Sequence, residues 1–190
     1  MKKIIILIAA LAISAAAANA QIWVSAGYNS VTERISGTNS HYDGFSIGAE
    51  SEHKLFLFTS FVHGLKLNAY YGSANAHNYS YYGLSIPVLI RGNFPIIPGY
   101  LGTYAQVGPD FGLGLSCKEK ESVSNGNSFD YYKEGYYQRF RMGLDVGVGF
   151  TYKQNFRISF DYNFGLNNLS KIDSKNAKMS YFTVGIARKF

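Results

Sequence analysis

Eight charged residues stand inside otherwise apolar, alternating stretches and are the first candidates for chemistry. They are Glu50, Lys66, Arg91, Asp110, Arg141, Asp145, Arg157 and Asp161. Four are acids and four are bases. Buried charges must be paired or hydrated. If all eight share one interior, a set balanced in sign is expected to form a polar plug of ion pairs. Asp145 and Asp161 are the sharpest case. A tight turn at Lys153-Gln154-Asn155 would pair Tyr152 with Phe156, set Asp145 opposite Asn163 and leave Asp161 on its diagonal. Two carboxylates so close call for a cation between them, and Arg91 or Arg157 is expected to supply it.

Catalytic patterns are sparse. The histidines are His41, His53, His63 and His77. None stands in a His-Glu-x-x-His spacing, and Cys117 is the single cysteine, so no metal-ligand pair of cysteines exists. It has no internal disulfide partner, and the simplest reading is an unpaired small residue. No serine occupies a Gly-x-Ser-x-Gly elbow. His41 and His77 fall near polar segments with Ser40, Asp43 and Ser80 close by, and a Ser–His pair could still assemble in space. The expectation is a protein that is not an enzyme and needs no cofactor or metal. The alternative from that class is a lipid-modifying or proteolytic barrel enzyme.

A third set of candidates is aromatic. Phe129, Tyr131 and Tyr132 lie within the longest polar segment, 118–137, followed by Tyr136 and Tyr137. Tyrosine offers large contact area at low entropic cost and is enriched in recognition surfaces. Phe129, Tyr131 and Tyr132 are expected to be available for recognition of a surface protein or glycan, with the outer aromatic girdle as the equal alternative for Tyr131 and Tyr132. Tyr136 and Tyr137, at a strand mouth, are expected in an aromatic girdle at head-group level.

The elements that must hold these residues follow from period two. From Arg141 to Tyr152 every second residue is large and apolar, with Arg141, Gly143, Asp145, Gly147, Gly149 and Thr151 between. After the polar triplet the pattern restarts with Phe156, Ile158, Phe160, Tyr162 and Phe164 against Arg157, Ser159, Asp161, Asn163 and Gly165. Alternation this long marks a two-faced strand of the length a tilted strand needs to cross a bilayer. The greasy set is expected outward. An eight-strand cylinder has an interior only just wide enough for side chains. The glycine-rich polar set fits that space, whereas Phe, Leu, Tyr and Met from every strand would overfill it.

Eight strands are expected, near 22–33, 43–55, 61–72, 80–94, 100–116, 138–152, 156–164 and 178–190. The division between the second and third is the least marked, because 53–63 lacks a Gly or Pro stop. Residues 95–99 and 153–155 read as tight turns, and 34–42, 73–79, 118–137 and 165–177 as longer polar loops. Short periplasmic turns with long outer loops are the outer-membrane arrangement. Pro87, facing the lumen, and Pro109, facing out, are each expected at a bulge.

The N-terminus carries Lys2 and Lys3, the apolar run from Ile4 to Ala18, and Ala18-Asn19-Ala20 as a small-x-small site. Residues 1–20 therefore read as a cleaved export signal and 21–190 as one domain. Net charge is +6, falling to +4 when Lys2 and Lys3 leave. A nucleic-acid partner is excluded for an exported chain; weak attraction to anionic lipid head groups is expected.

Four segments also resemble a known family. They are Gly83-Leu-Ser-Ile-Pro-Val-Leu-Ile-Arg91, Tyr104-Ala-Gln-Val-Gly-Pro-Asp-Phe-Gly-Leu-Gly114, Phe160-Asp-Tyr-Asn-Phe-Gly-Leu-Asn-Asn168 and Phe182-Thr-Val-Gly-Ile-Ala-Arg-Lys-Phe190. Together they resemble the PorT-type outer membrane β-barrel family, related in architecture to small OmpX- and OmpA-type barrels. The resemblance implies an outer-membrane barrel in a Gram-negative bacterium and allows an accessory role in secretion. It implies that Phe190 is a C-terminal signal read by the barrel-assembly machinery. Arg188 departs from the pattern, because an aromatic commonly stands there; at the interface its charge can snorkel.

The reading is an all-β protein, an eight-stranded antiparallel up-and-down transmembrane β-barrel, monomeric, embedded in outer-membrane lipids. Its lumen is filled, and its role is structural or interactive at the cell surface through the outer loops. The alternative is a narrow pore or accessory component of a secretion or transport apparatus.

Overall fold

The computed structural model describes residues 21–74, 77–121, 128–172 and 175–190. The segment read as an export signal lies outside the described residues, as do 122–127 of the longest loop. Nine strands form in order: β1 Gln21–Ile35, β2 Thr38–Phe56, β3 Thr59–Ala74, β4 His77–Ile97, β5 Leu101–Glu121, β6 Ser128–Asp130, β7 Phe140–Tyr152, β8 Phe156–Gly165 and β9 Ala177–Lys189. All pairings are antiparallel. Eight strands close a ring in which β1 pairs with both β2 and β9 and β5 pairs with both β4 and β7. The three-residue β6 stands outside it, pairing Lys118 to Lys120 of β5. The end that holds Gln21 and Lys189 is here the lower end, the opposite one the upper end.

The outward face is apolar along each strand of the ring. Phe45, Ile47, Ile90, Val107, Val148, Ile158, Phe160 and Ile186 are all exposed, an uninterrupted belt that only hydrocarbon tolerates. Tyrosine pairs flank it: Tyr71 with Tyr82, hydroxyls 2.6 Å apart, and Tyr100 with Tyr152, 2.8 Å apart.

Several connections differ from the sequence expectation. Residues 34–42 are no loop. β1 and β2 run to a two-residue turn at Ser36 and Gly37, whose φ angles of 48° and 96° give the twist that lets paired strands continue without splaying. The least marked division, β2 to β3, turns at Leu57-Phe58 after an irregularity between Lys54 and Phe56. Pro87 faces the lumen and Pro109 faces out, yet neither sits at a bulge. Ladder pairs are missing beside them while the register is kept on both sides, Pro87 with Asp110 and Ile90 with Val107. A missing N–H removes a bond without requiring an extra residue. The bulge falls instead at Leu115, between the pairs Tyr82–Ser116 and Gly83–Gly114. It reverses the alternation of β5, so Cys117 turns inward and is fully buried.

Candidate functional site

All eight charged candidates project into the barrel. Lys66 is partly accessible and the other seven are buried. The structure sorts them into two layers. In the lower layer Arg91 donates from Nε and Nη2 to Gln106 Oε1 at 2.8 and 2.6 Å, and its Nη1 and Nη2 reach Glu52 and Glu50, each at 3.3 Å. Lys66 Nζ lies 3.3 Å from the other oxygen of Glu50. Arg157 donates to Glu52, and its guanidinium lies 3.5 Å from the centroid of the Trp23 ring. In the upper layer Arg141 Nη2 meets Asp110 Oδ2 at 2.6 Å, its Nη1 meets Asn163 Oδ1 at 2.9 Å, and the Tyr181 hydroxyl donates to the same Asp110 oxygen at 2.9 Å.

The expected arginine between Asp145 and Asp161 is not there. Asp145 does pair with Asn163 across β7 and β8. However, Asp161 is held by Gln106 Nε2 at 2.7 Å, and Asp145 Oδ1 has no hydrogen-bond partner among the described residues. Arg91 and Arg157 are drawn down to Glu50 and Glu52, where two acids at successive inward positions of β2 offer denser negative charge. Glu52 was missed by sequence reasoning, although it shares the inward alternation of Glu50 two residues earlier. Gln106 and Tyr181 were missed because neutral polar groups carry no charge signal, and Asn163 was placed opposite Asp145 without its role as acceptor for Arg141.

Above the charges sits a plug of tyrosine that the argument from overfilling had excluded. Tyr42 stacks on Tyr79 with centroids 4.3 Å apart, and Tyr70 stacks on Tyr81 at 5.2 Å. Val31, Cys117, Tyr137, Leu169, Ala177, Met179 and Tyr181 complete the cluster. The glycines of the interior make room for these rings. A Cβ at Gly72 would lie 2.2 Å from the Tyr42 ring.

The loop aromatics divide. Phe129 is exposed, with its ring 5.0 Å from Tyr131 and 5.4 Å from Tyr136. Tyr131 and Tyr132 do not stand free in mid-loop; they are half-buried against the tyrosine cluster. Tyr131 donates to Glu119, and the Tyr132 ring takes the Arg139 guanidinium at 4.8 Å. Tyr136 is exposed, but Tyr137 leaves the expected girdle and is buried within the mouth. In each case burying a large ring outweighs leaving it in water. Burial pushes the phenols of Tyr131, Tyr132 and Tyr137 up from their ordinary value; the Glu119 carboxylate adds to the shift of Tyr131, and Glu33 to that of Tyr137. Phe190, the expected assembly signal, is exposed at the lower rim with Arg188 5.3 Å from its ring, and its N–H donates to Ile22.

A Ser–His contact also forms. Ser51 Oγ lies 3.2 Å from His53 Nε2, which lies 3.3 Å from His63 Nε2, on the outward alternation of β2 and β3. His41 contacts Thr32 Oγ1 at 3.1 Å.

Among the described residues, two cavities lie beside the charged side chains. One of about 30 Å³ lies in the lumen beside Lys66, Arg91, Tyr104 and Asp161. The other, about 260 Å³, is a vestibule at the lower end with Trp23, Glu52 and Arg157 among its lining residues.

A closed ring of this geometry with a charged, plugged lumen and an apolar exterior defines a membrane β-barrel. Residues 19–171 match the outer membrane protein beta-barrel domain family, and the chain belongs to that family. Solved structures of the same fold include Neisserial surface protein A at 14% identity, TM-score 0.55, covering 89% of this chain and 97% of that one. Ail, the attachment invasion locus protein of Yersinia pestis, solved with the heparin analogue sucrose octasulfate, is 16% identical, TM-score 0.50, covering 90% and 99%. The outer membrane enzyme PagL is 7% identical, TM-score 0.52, covering 85% and 98%. A comparison with curated proteins returned no match. The protein is an outer-membrane β-barrel.

Proposed function

We propose that this barrel is closed to solutes and acts at the cell surface through its upper end, in a structural or interactive role. The lumen carries the reading. Arg157 of β8 reaches Glu52 of β2 across it, Arg91 of β4 reaches Glu50 and Glu52 of β2, Arg141 pairs with Asp110 of the neighbouring β5, and the tyrosine cluster lies above them. The lumen cavity of about 30 Å³ is room for about one water. Phe129 and Tyr136 supply an exposed aromatic surface beside β6. Affiliation with PorT-type barrels, suggested by the four segments, would add an accessory role in secretion. The test has two parts. Wild-type protein in planar bilayers should show no steady ion current; a stepwise conductance sinks the closed reading. Pull-downs from native membranes with wild type and Phe129→Ala/Tyr136→Ala should differ by a loop-dependent partner.

A second reading rests on Ser51, His53 and His63. A hydroxyl next to a histidine is the start of an acyl-transfer site, and here it stands on the outward alternation of β2, buried against the two histidines. It predicts altered lipid acylation on overexpression, abolished by Ser51→Ala. Unchanged lipid in both strains removes it.

A further inference from the structure

The vestibule at the lower end has a chemistry that the plugged lumen does not use. One wall is apolar: Leu57, Phe58, Phe94, Pro95 and Ile97. All but Pro95 belong to the exposed apolar set, with Leu57 at 89%. Leu57 also holds a φ of 40°, which a branched residue adopts only where the fold demands it. Two adjoining turns, Leu57-Phe58 and the one after β4, thus present greasy side chains at the rim.

The other wall is cationic. Lys54, Arg157 and Lys189 line it against a single acid, Glu52. Glu52 is already engaged by Arg157, by Arg91 at 3.3 Å and by Asn93 Nδ2 at 3.1 Å. Positive charge is left over. Lys189 Nζ lies 6.0 Å from the Trp23 ring, and neither lysine forms an ion pair among the described residues. Among the described residues Arg157 Nε and Nη1 and Trp23 Nε1 have no hydrogen-bond partner, though both residues are more than nine-tenths buried and line the cavity. Buried donors left unmade are costly. Their presence beside surplus charge and an unfilled volume marks a place built for an acceptor.

We infer that the vestibule binds a small amphiphile with one anionic head and a short apolar tail, such as a medium-chain carboxylate. The head sits at Lys54, Lys189 and Arg157, and the tail lies on Leu57, Phe58 and Phe94. At about 30 Å³ per water-sized group, a cavity of about 260 Å³ takes a molecule of roughly nine non-hydrogen atoms, close to the size of octanoate, whose tail can extend along the apolar rim. The inference goes beyond the surface role and stands apart from it, because it concerns the opposite end of the barrel.

Trp23 is the only tryptophan of the chain, so its fluorescence reads the site directly. With the barrel in nanodiscs of neutral lipid, octanoate should change Trp23 emission saturably. Octanol at matched membrane concentration should not. Lys54→Ala and Lys189→Ala should each raise the half-saturating concentration several-fold, and together at least ~10-fold, while Lys54→Arg keeps it. Lys54 is exposed, so Lys54→Ala alone carries the test should a Lys189 variant not assemble. No response, a response shared by octanol, a linear one, or one indifferent to Lys54 overturns the inference. A loss of surface partners or a stepwise current would strike the surface reading and leave this one standing.

Discussion

Arg141 Nη2 lies 2.6 Å from Asp110 Oδ2 in the barrel interior, with the Tyr181 hydroxyl on the same oxygen. The pair joins β7 to β5, and Tyr181 adds β9. Breaking a buried pair by removing one partner costs ~3–5 kcal/mol, because a charge is left stranded, whereas replacing both can be neutral. Asp110→Asn and Arg141→Leu should each lower the urea midpoint of the detergent-solubilised barrel strongly. The double variant Asp110→Leu/Arg141→Leu should recover much of the loss. A double variant as weak as the sum of the two singles would mean the pair is not a unit.

Arg157 packs 3.5 Å over the Trp23 ring. Cation–π contacts reach ~2 kcal/mol when desolvated, and Arg157 also holds Glu52. Arg157→Ala should therefore destabilise the barrel and shift Trp23 emission to the red as water enters the lower end. Arg157→Lys should restore less than half, since an ammonium cannot lie flat on the ring while reaching Glu52. Unmoved emission in Arg157→Ala would contradict the stacking.

Glycine positions differ in what a methyl group would meet. At Gly44 a Cβ would lie 2.2 Å from the Ala69 carbonyl oxygen and 2.9 Å from Tyr70 Cα; at Gly102 the nearest atom is at 3.4 Å. Backbone atoms in a closed ring cannot step aside. Gly44→Ala is expected to cost ~1–3 kcal/mol by overpacking or to block assembly. Gly102→Ala should be near neutral. Band shifts on unheated gels and denaturation midpoints separate the two.

The loop phenols set an alkaline limit. Tyr131, Tyr132 and Tyr137 titrate above their unfolded value, chiefly through burial. A raised folded pKa means the stabilisation is whole below about pH 10 and is lost as pH rises through the folded values. Absorbance at the phenolate band should show a delayed tyrosine fraction, and the segment should become protease-sensitive only at strongly alkaline pH. Tyr131→Phe, which removes the hydrogen bond to Glu119, should shrink that fraction.

The architecture was legible where period and turn agree. The three-residue connection at 153–155 fixes Tyr152 opposite Phe156, and every pair up to Gly143 with Gly165 follows. The inward set follows too, since one wrong residue would turn a whole face. What alternation cannot show is an inserted residue. The bulge at Leu115 inverts β5 above it and moves Cys117 inside. Nor does alternation choose partners across the lumen. Arg91 meets Glu50 and Glu52, forty residues away in sequence, because of ring curvature that no single strand encodes. The plug escaped for a related reason. Tyr137 and Tyr132 belong to a connection, where period two ends and burial is decided by the neighbouring mouth.

The seam between β1 and β9 pairs Trp23 with Lys189 and Ile35 with Ala177. No cylinder exists until β9 has met β1. Bringing such distant segments together carries the highest loop-closure cost in the chain. Until that encounter the facing edges of β1 and β9 lie unsatisfied, primed to pair with any neighbour. Maturation therefore hinges on a single stitching event between β1 and β9.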